Sequence, residues 1–390
     1  MGLTTILFWT SFFIVFYSFI GYGIVITVLA KMKGKPAAAE PSEWMPVTLV
    51  VPCYNEADIL QEKINNCFAL DYPKEKLQYM FITDGSTDNS SQIIQQYSNI
   101  TLLHSSLRGG KSAAENRAMQ HVTTPVVIFT DANTGLNKNA VKNIVRHFYN
   151  GKVGCVSGEK RVMTASDDGA SATEGVYWKY ESFLKKQDSD WYTAVGAAGE
   201  LVAFRTSLYE EMPQDTILDD FIQSMIIASK GYKIVYEPEA YAMEVPSANI
   251  KEEIKRKVRI CAGGWQSIAR LQPRIRFAKD ARLAFQYYSH RVLRWTVTPF
   301  LLIVMFITSG LLSITGNLFQ QSIFVLQALF YVSALGGYLA EMNNIKIKLL
   351  YVPFYFCMMN WCVIAGLKRY LKKQQSGAWD KAVRKTIVQQ

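Results

Sequence analysis

Three aspartates, Asp84, Asp131 and Asp220, stand where apolar runs of this chain give way to polar residues. Asn55 and Glu56 follow a first such run, and Asn133 lies two positions after Asp131. Carboxylates and amides are hard oxygen donors, and two of them spaced two residues apart can face one divalent cation. A lysine, Lys111, sits at the head of a helical stretch behind Arg108-Gly109-Gly110. An ammonium at a helix N-terminus suits a diphosphate. Together these residues have the chemistry of a nucleotide-and-metal site.

The elements that would position them are legible as patterns. VTLVVPC ends at Asn55-Glu56, LQYMFIT ends at Asp84, and PVVIFT ends at Asp131. Continuous apolar runs of this length, separated by helical patterns, read as strands of a mostly parallel sheet covered on both faces, an α/β fold. Ligands bind such sheets at the carboxyl ends of the strands, where these polar residues fall. The turn Asp84-Gly85-Ser86-Thr87-Asp88 leads into a helix that Asp88 can cap. Taken alone, Asp131-Ala132-Asn133 reads as an ordinary turn, and Asp219-Asp220 before FIQSMIIASKG reads as a helix cap. Their place in a series of polar strand ends gives both a chemical meaning. Gly-Gly-Lys-Ser (109–112) is not a P-loop, because Ser105 stands where that motif needs glycine and no apolar strand leads directly into it.

The 390 residues are 49% hydrophobic, an average over two kinds of sequence. Residues 3–30 are almost uncharged and long enough to cross a bilayer, and they read as a retained anchor. Three more apolar segments follow at 293–313, 322–340 and 349–367, with soluble-type sequence between. The reading is a transmembrane helix over 1–31, a globular domain over 45–270, a basic amphipathic stretch over 271–291 lying along headgroups, a membrane region over 292–368 and a basic tail over 369–390. The net charge of +10 is concentrated beside the apolar segments. That pattern speaks for anionic lipid and cytoplasmic flanks, and against nucleic acid. Lys31, Lys33 and Lys35 put the globular domain inside, and Arg291 and Arg294 hold the next span at the same face. Three full crossings after the domain would leave the basic tail outside, against the positive-inside rule, unless one segment is re-entrant. The six cysteines lack metal spacing and read as small buried hydrophobes of a reducing compartment.

VPCYNE, ITDGSTD, RGGKSAAENRA, FTDANT, GAAGELVAFR and LDDF, in this order, resemble a membrane-integrated family 2 glycosyltransferase. The likeness is to synthases of the poly-N-acetylglucosamine, hyaluronan and cellulose type, and it covers roughly residues 45–270. It implies a nucleotide-sugar-binding, Rossmann-like domain of the glycosyltransferase A type at the cytoplasmic face of the inner membrane. It further implies inverting transfer from a UDP-sugar to a β-linked polysaccharide with Mg²⁺ or Mn²⁺. Carried over, Glu56 and Asp84 hold the uridine, Lys111 and Arg259 hold the diphosphate, and Asp131 with Asn133 binds the metal. Gly196, Gly199, Glu200 and Asp219 line the acceptor side, and Asp220 is the general base. Asp219 is the like charge most able to raise the pKa of Asp220.

The chain departs from that pattern in two places. Thr83 stands where the family's DDGS has its first aspartate. The QxxRW motif corresponds to Arg256–Ile260, which keeps Arg259 and loses the acceptor-stacking tryptophan to Ile260, leaving Trp265 either as a substitute platform or as a buried packing residue. The stripe Tyr177, Trp178, Tyr180, Phe183 reads first as core and second as an acceptor face. These departures keep two alternatives open: transfer to a membrane lipid, and an inactive nucleotide-sugar-binding scaffold. Regulation or secretion would fall to a partner subunit.

Overall fold

The computed structural model describes residues 2–34, 40–162, 169–245, 249–343, 345 and 347–373, with backbone only over 169–177. Lys35, the side chain of Tyr177 and the tail beyond residue 373 lie outside the described residues.

The first half of the chain alternates strand and helix. It runs β1 (Val47–Cys53), α2 (Leu60–Phe68), β2 (Leu77–Asp84), α3 (Ser90–Gln95), β3 (Ile100–Ser105), α4 (Lys111–Met119) and β4 (Val126–Thr130), after a long helix α1 (Leu3–Lys33). Strands β1 and β4 are buried at every residue, as expected for strands covered by helices on both faces. Beyond β4 come β5 (Thr134–Leu136), α5 (Ala140–Val145), β6 (Val153–Val162), α6 (Gly169–Trp191), β7 (Leu201–Arg205), α7 (Asp219–Ser229) and β8 (Lys233–Glu244). The described strands form one sheet in the order β3-β2-β1-β4-β7-β6-β8-β5. Pairing is parallel from β3 to β4 and between β6 and β8, and antiparallel where β7 and β5 enter. One apolar core lies on each face of this mixed, mostly parallel sheet.

The remaining helices are α8 (Ile250–Leu271), α9 (Ala281–Tyr287, continuing through Trp295), α10 (Val297–Thr315), α11 (Leu318–Met342) and α12 (Lys348–Leu371). Four helices, α1, α10, α11 and α12, are long and apolar enough to cross a membrane. The segment 271–291 departs from expectation. Ile275, Leu283, Ala284 and Tyr287 are buried in the domain's second core, and Phe277 is its exposed large apolar residue. Its apolar face is used up in completing the domain's own core, leaving little to lie along headgroups.

That docking is polar at its centre. The Tyr22 hydroxyl of α1 donates to Asp188 of α6, and His290 Nδ1 lies 2.5 Å from the other oxygen of the same carboxylate. Arg291 and Arg294 grip Glu181 at 2.7 and 2.6 Å. Burial alone would raise the Glu181 carboxyl, but the two guanidiniums hold it well below the usual range. Such a buried network is costly to break, so it fixes α1, α6 and α9 as one body.

Helix α12 is unusual for an apolar helix. Its start packs against the end of α11, where a Cβ on Gly337 would meet the Leu350 carbonyl at 2.6 Å. From there Tyr351, Phe354, Tyr355, Met358 and Cys362 pack on Ile250, Ile254, Val258 and Cys261 of α8. Gly366 then lies against Cys261 so closely that a Cβ would come within 2.7 Å.

Candidate active site

The carboxyl ends of β1, β2 and β4 converge as expected. Asn55 adopts φ 53°, a left-handed conformation that asparagine tolerates, and its side-chain oxygen accepts from the Thr87 N–H at 2.8 Å. The next residue, Glu56, is buried. Asp84 is fully buried, and its carboxylate accepts from the N–H groups of Gly109 and Gly110 at 3.0 and 2.7 Å. The Arg117 guanidinium stands 3.6 Å away. Asp84 therefore holds the Arg108–Lys111 loop. Gly85 makes this possible: its φ is +68°, and a Cβ there would meet the Arg108 backbone at 2.9 Å. Thr83, the departure from DDGS, bonds His104 Nδ1 at 2.8 Å inside the sheet edge.

Lys111 opens α4 and reaches across to Asp131, at 2.7 Å from Oδ1. Burial works against its charge, but Asp131, Asp219, Glu115 and Asp220 together raise its pKa well above the ordinary value. Asp131 sits on a turn fastened from below by a buried lysine: Lys63 Nζ donates to Thr130 Oγ1 at 3.1 Å and to the Thr134 carbonyl at 2.8 Å. Asn133 lies two residues further on the same turn. Among the described residues no three His, Cys, Asp or Glu side chains stand together to hold a metal unaided. The donor set, one carboxylate and one amide, fits a hard cation that takes its other ligands from phosphate oxygens and water.

Asp219 and Asp220 open α7. Asp220 is enclosed by the Gly196–Glu200 loop. Gly196 has φ +86°, and a Cβ on it would fall 2.1 Å from the Phe221 ring. Gly199 lies between the two charged groups: a Cβ there would be 3.2 Å from both Asp220 Oδ2 and Lys111 Nζ. Burial, then the neighbouring Asp219, pushes the Asp220 carboxyl up to about 7, with Lys111 opposing. Glu115 is buried beside Asp219, and burial and that neighbour raise its pKa well above the usual range. Glu200 pairs with Lys160 at 2.5 Å, and Lys160 also grips Glu244.

On its far side from Lys111, Asp220 borders a cavity of about 500 Å³ between the domain and the membrane helices. Trp178, Tyr180, Glu200 and Ile260 line it, so the two described rings of the aromatic stripe other than Phe183 face this space. Trp265 does not line it. Its indole N–H donates to the Val363 carbonyl at 3.2 Å, which fastens α8 to α12. Gly196 and Asp219 are not in the lining either, and Arg259 is a half-buried residue of α8 outside it. The sequence had offered no reason to single out Lys63, Glu115, Lys160, Lys185, Glu181 or Arg117. The only available signal was charged residues inside otherwise apolar or helical patterns.

Comparison with known proteins adds to this geometry. Residues 48–212 match the sequence model of the family described as "Glycosyl transferase family 2". Among curated proteins, poly-β-1,6-N-acetyl-D-glucosamine synthase of Staphylococcus aureus is 25% identical over 231 residues, 57% of this chain and 56% of that one. The Staphylococcus epidermidis synthase is 24% identical over 71% of this chain and 69% of its own. The match thus spans little more than half the length of the first of these relatives. Among solved structures, a mannosyltransferase from Pyrobaculum calidifontis, in complex with GDP-Man and Mn²⁺, superposes with a TM-score of 0.74 at 22% identity. That match covers 94% of this chain and 99% of the other, so the shared fold extends through the membrane helices.

Proposed function

We propose that this chain, whose residues 48–212 match the glycosyl transferase family 2 model, is a glycosyltransferase that builds a β-linked glycan from a UDP-sugar with inversion at the anomeric carbon, Asp220 being the base. The observation that carries this reading is the setting of Asp220. It stands beside Lys111 and Gly199 on one side and faces a cavity on the other, with its carboxyl raised to about 7. A carboxylate with a pKa near neutrality is well matched to accept a proton from an acceptor hydroxyl. The names of the staphylococcal relatives support glycan synthesis, and the GDP-Man and Mn²⁺ held by the mannosyltransferase support a nucleotide-sugar donor with a divalent cation.

In this reading Asp131 and Asn133 hold Mg²⁺ or Mn²⁺, which when bound offsets negative charge on the donor diphosphate. Glu56 and Asp84 border the nucleoside, with the Asp84-held loop presenting Lys111. Lys111 and Arg259 stabilise the leaving diphosphate. The acceptor oxygen attacks the anomeric carbon and passes its proton to Asp220. Asp219, paired with Glu115, keeps the Asp220 carboxylate basic. Transfer from α-configured UDP-sugars, with the linkage of the product read by NMR, tests the proposal. A β-linkage is expected, and an α-linkage would refute inversion.

The packing of α12 also supports a topology. Its first turn adjoins the end of α11, and its second half runs along α8, a helix continuous with the catalytic domain. We take α1, α10 and α11 as the crossings and α12 as a helix that stays on the domain's side. Lys368, Arg369, Lys372 and Lys373 then share the domain's face, which satisfies the positive-inside rule and supports a cytoplasmic domain. A cysteine introduced after residue 373 in intact cells should resist membrane-impermeant maleimide. Labelling there would make α12 a fourth crossing.

A further inference from the structure

The cavity beside Asp220 has two unlike walls. From the apolar helices come Phe19 of α1 and Val352, Phe356, Met359 and Val363 of α12. From the domain and α8–α9 come six cations, Lys160, Lys185, Arg256, Lys257, Arg291 and Arg294, against the carboxylates of Glu181, Glu200 and Asp220. Five of those cations are neutralised locally. Arg291 and Arg294 hold Glu181, Lys160 holds Glu200 and Glu244, and Arg256 and Lys257 hold Glu253.

Lys185 is different. It is 6% exposed, it lines the cavity, and among the described residues it has no hydrogen bond or ion pair. Burial and then Arg291 lower its pKa, against the weaker pull of Glu181, Glu200 and Asp220. A buried ammonium without a partner is costly, and an anion entering the cavity would supply one. A soluble anion has no use for the apolar wall on α1 and α12. A neutral glycan has no use for an unpaired buried lysine. A molecule carrying both an apolar chain and a phosphate uses both.

We propose that this cavity binds the acceptor and that the acceptor is an anionic lipid. Its chain lies against Phe19, Phe356 and Met359, its phosphate meets Lys185, and a hydroxyl beyond the phosphate reaches Asp220. The proposal rests on the transferase reading and names the acceptor on which the β-linked glycan is begun. In the step, the lipid hydroxyl oxygen bonds to the anomeric carbon and its proton goes to Asp220. The bond from that carbon to the diphosphate breaks, and its electron pair leaves with the nucleoside diphosphate. A cavity of about 500 Å³ is in the range that holds a drug-sized molecule. It suits a headgroup and the first part of a chain, the remainder extending along the membrane helices.

The test uses the full chain in nanodiscs with radiolabelled UDP-N-acetylglucosamine, UDP-glucose or GDP-mannose and Mn²⁺. The lipid probe is a bacterial polar lipid extract, divided by anion exchange into anionic and uncharged fractions. Label is expected in organic-extractable product with the anionic fraction only. Lys185→Gln should raise the lipid concentration for half-maximal transfer at least about tenfold, the size expected for loss of a charge-assisted hydrogen bond. Lys185→Arg should restore most of it. Met359→Glu should abolish transfer to lipid by charging the chain-binding wall, and nucleotide affinity serves as its folding control. Label in water-soluble polymer alone, or equal transfer to the uncharged fraction, overturns the lipid proposal. Nucleotide release with neither product overturns it as well, while leaving the transferase reading in place. No nucleotide release from any donor overturns both.

Discussion

Replacing Asp220 by Asn should stabilise the protein while inactivating it, and the stabilisation should depend on pH. The Asp220 carboxyl moves from an ordinary 3.8 to about 7 in the folded state, because burial and Asp219 disfavour its charge. A carboxyl whose folded pKa is raised binds its proton more tightly folded than unfolded. Between about pH 4 and 7 the unfolded chain has released that proton and the folded one has not, so stability falls as pH rises through this window. Above about 7 both states are ionised and the penalty is complete. Three pKa units at about 1.36 kcal/mol each give at most about 4 kcal/mol. Relaxation around the charge would reduce this. Asp220→Asn removes the penalty, so its apparent Tm should match that of wild type only at or below about pH 4, and its lead should grow from pH 5 to several degrees at pH 8. Thermal unfolding in detergent, with chelator present and no nucleotide, measures the difference at a fixed scan rate. A Tm difference that does not grow between pH 5 and 8 would refute the claim that Asp220 is held in a charge-disfavouring site.

Asp131→Ala should weaken nucleotide affinity in Mn²⁺ by at least about tenfold and have little effect in chelator, because one anionic oxygen ligand is lost; isothermal titration with UDP, with and without metal, reads this. Gly199→Ala should lower kcat more than nucleotide affinity, since its Cβ would press on both Asp220 Oδ2 and Lys111 Nζ at 3.2 Å; steady-state kinetics beside UDP titration separates the two. Trp265→Phe should cost about 1 kcal/mol through the lost bond to the Val363 carbonyl, seen as a lower Tm with unchanged product. Ile260→Trp should reduce transfer by filling the cavity that Ile260 lines; longer products from this variant would mean that the added ring serves as an acceptor platform.

The sheet and the gathering of polar residues at its carboxyl ends were legible because their signals are local. β1, β2 and β4 are unbroken apolar runs, and Asn55, Glu56, Asp84 and Asp131 follow them directly, so strand ends and polar residues coincide in the sequence. The cavity beside Asp220 was not legible, for a physical reason. Its residues come from α1, α6, α7, α8 and α12, which are remote in sequence and meet only when the membrane helices dock. Phe19 reads as one more lipid-facing aromatic until α12 covers it. Lys185 reads as a solvated residue of a helix until Glu181 and Arg291 bury it. The docking of α12 also decided Trp265. In sequence, a tryptophan five residues beyond Ile260 suggested a stacking platform, but the contact between α8 and α12 takes its indole N–H for Val363. Leu283 and Tyr287 alternate with basic residues as an interfacial helix would, yet they complete the second core of the domain. The four apolar helices were placed to within a few residues, because length and hydropathy require no partner. The course of α12 was not, since its apolarity equally suits a crossing and a helix laid along α8.

The central claim is that Asp220 accepts the proton while Lys111 and Asp131 serve the donor. The most direct measurement is the rate of nucleoside diphosphate release by wild type and by Asp220→Asn in nanodiscs containing bacterial polar lipids, at saturating nucleotide-sugar and Mn²⁺. The account predicts a loss of at least about 10²-fold in turnover with donor affinity unchanged within about twofold. A variant that keeps more than half of the wild-type rate would show that the base lies elsewhere.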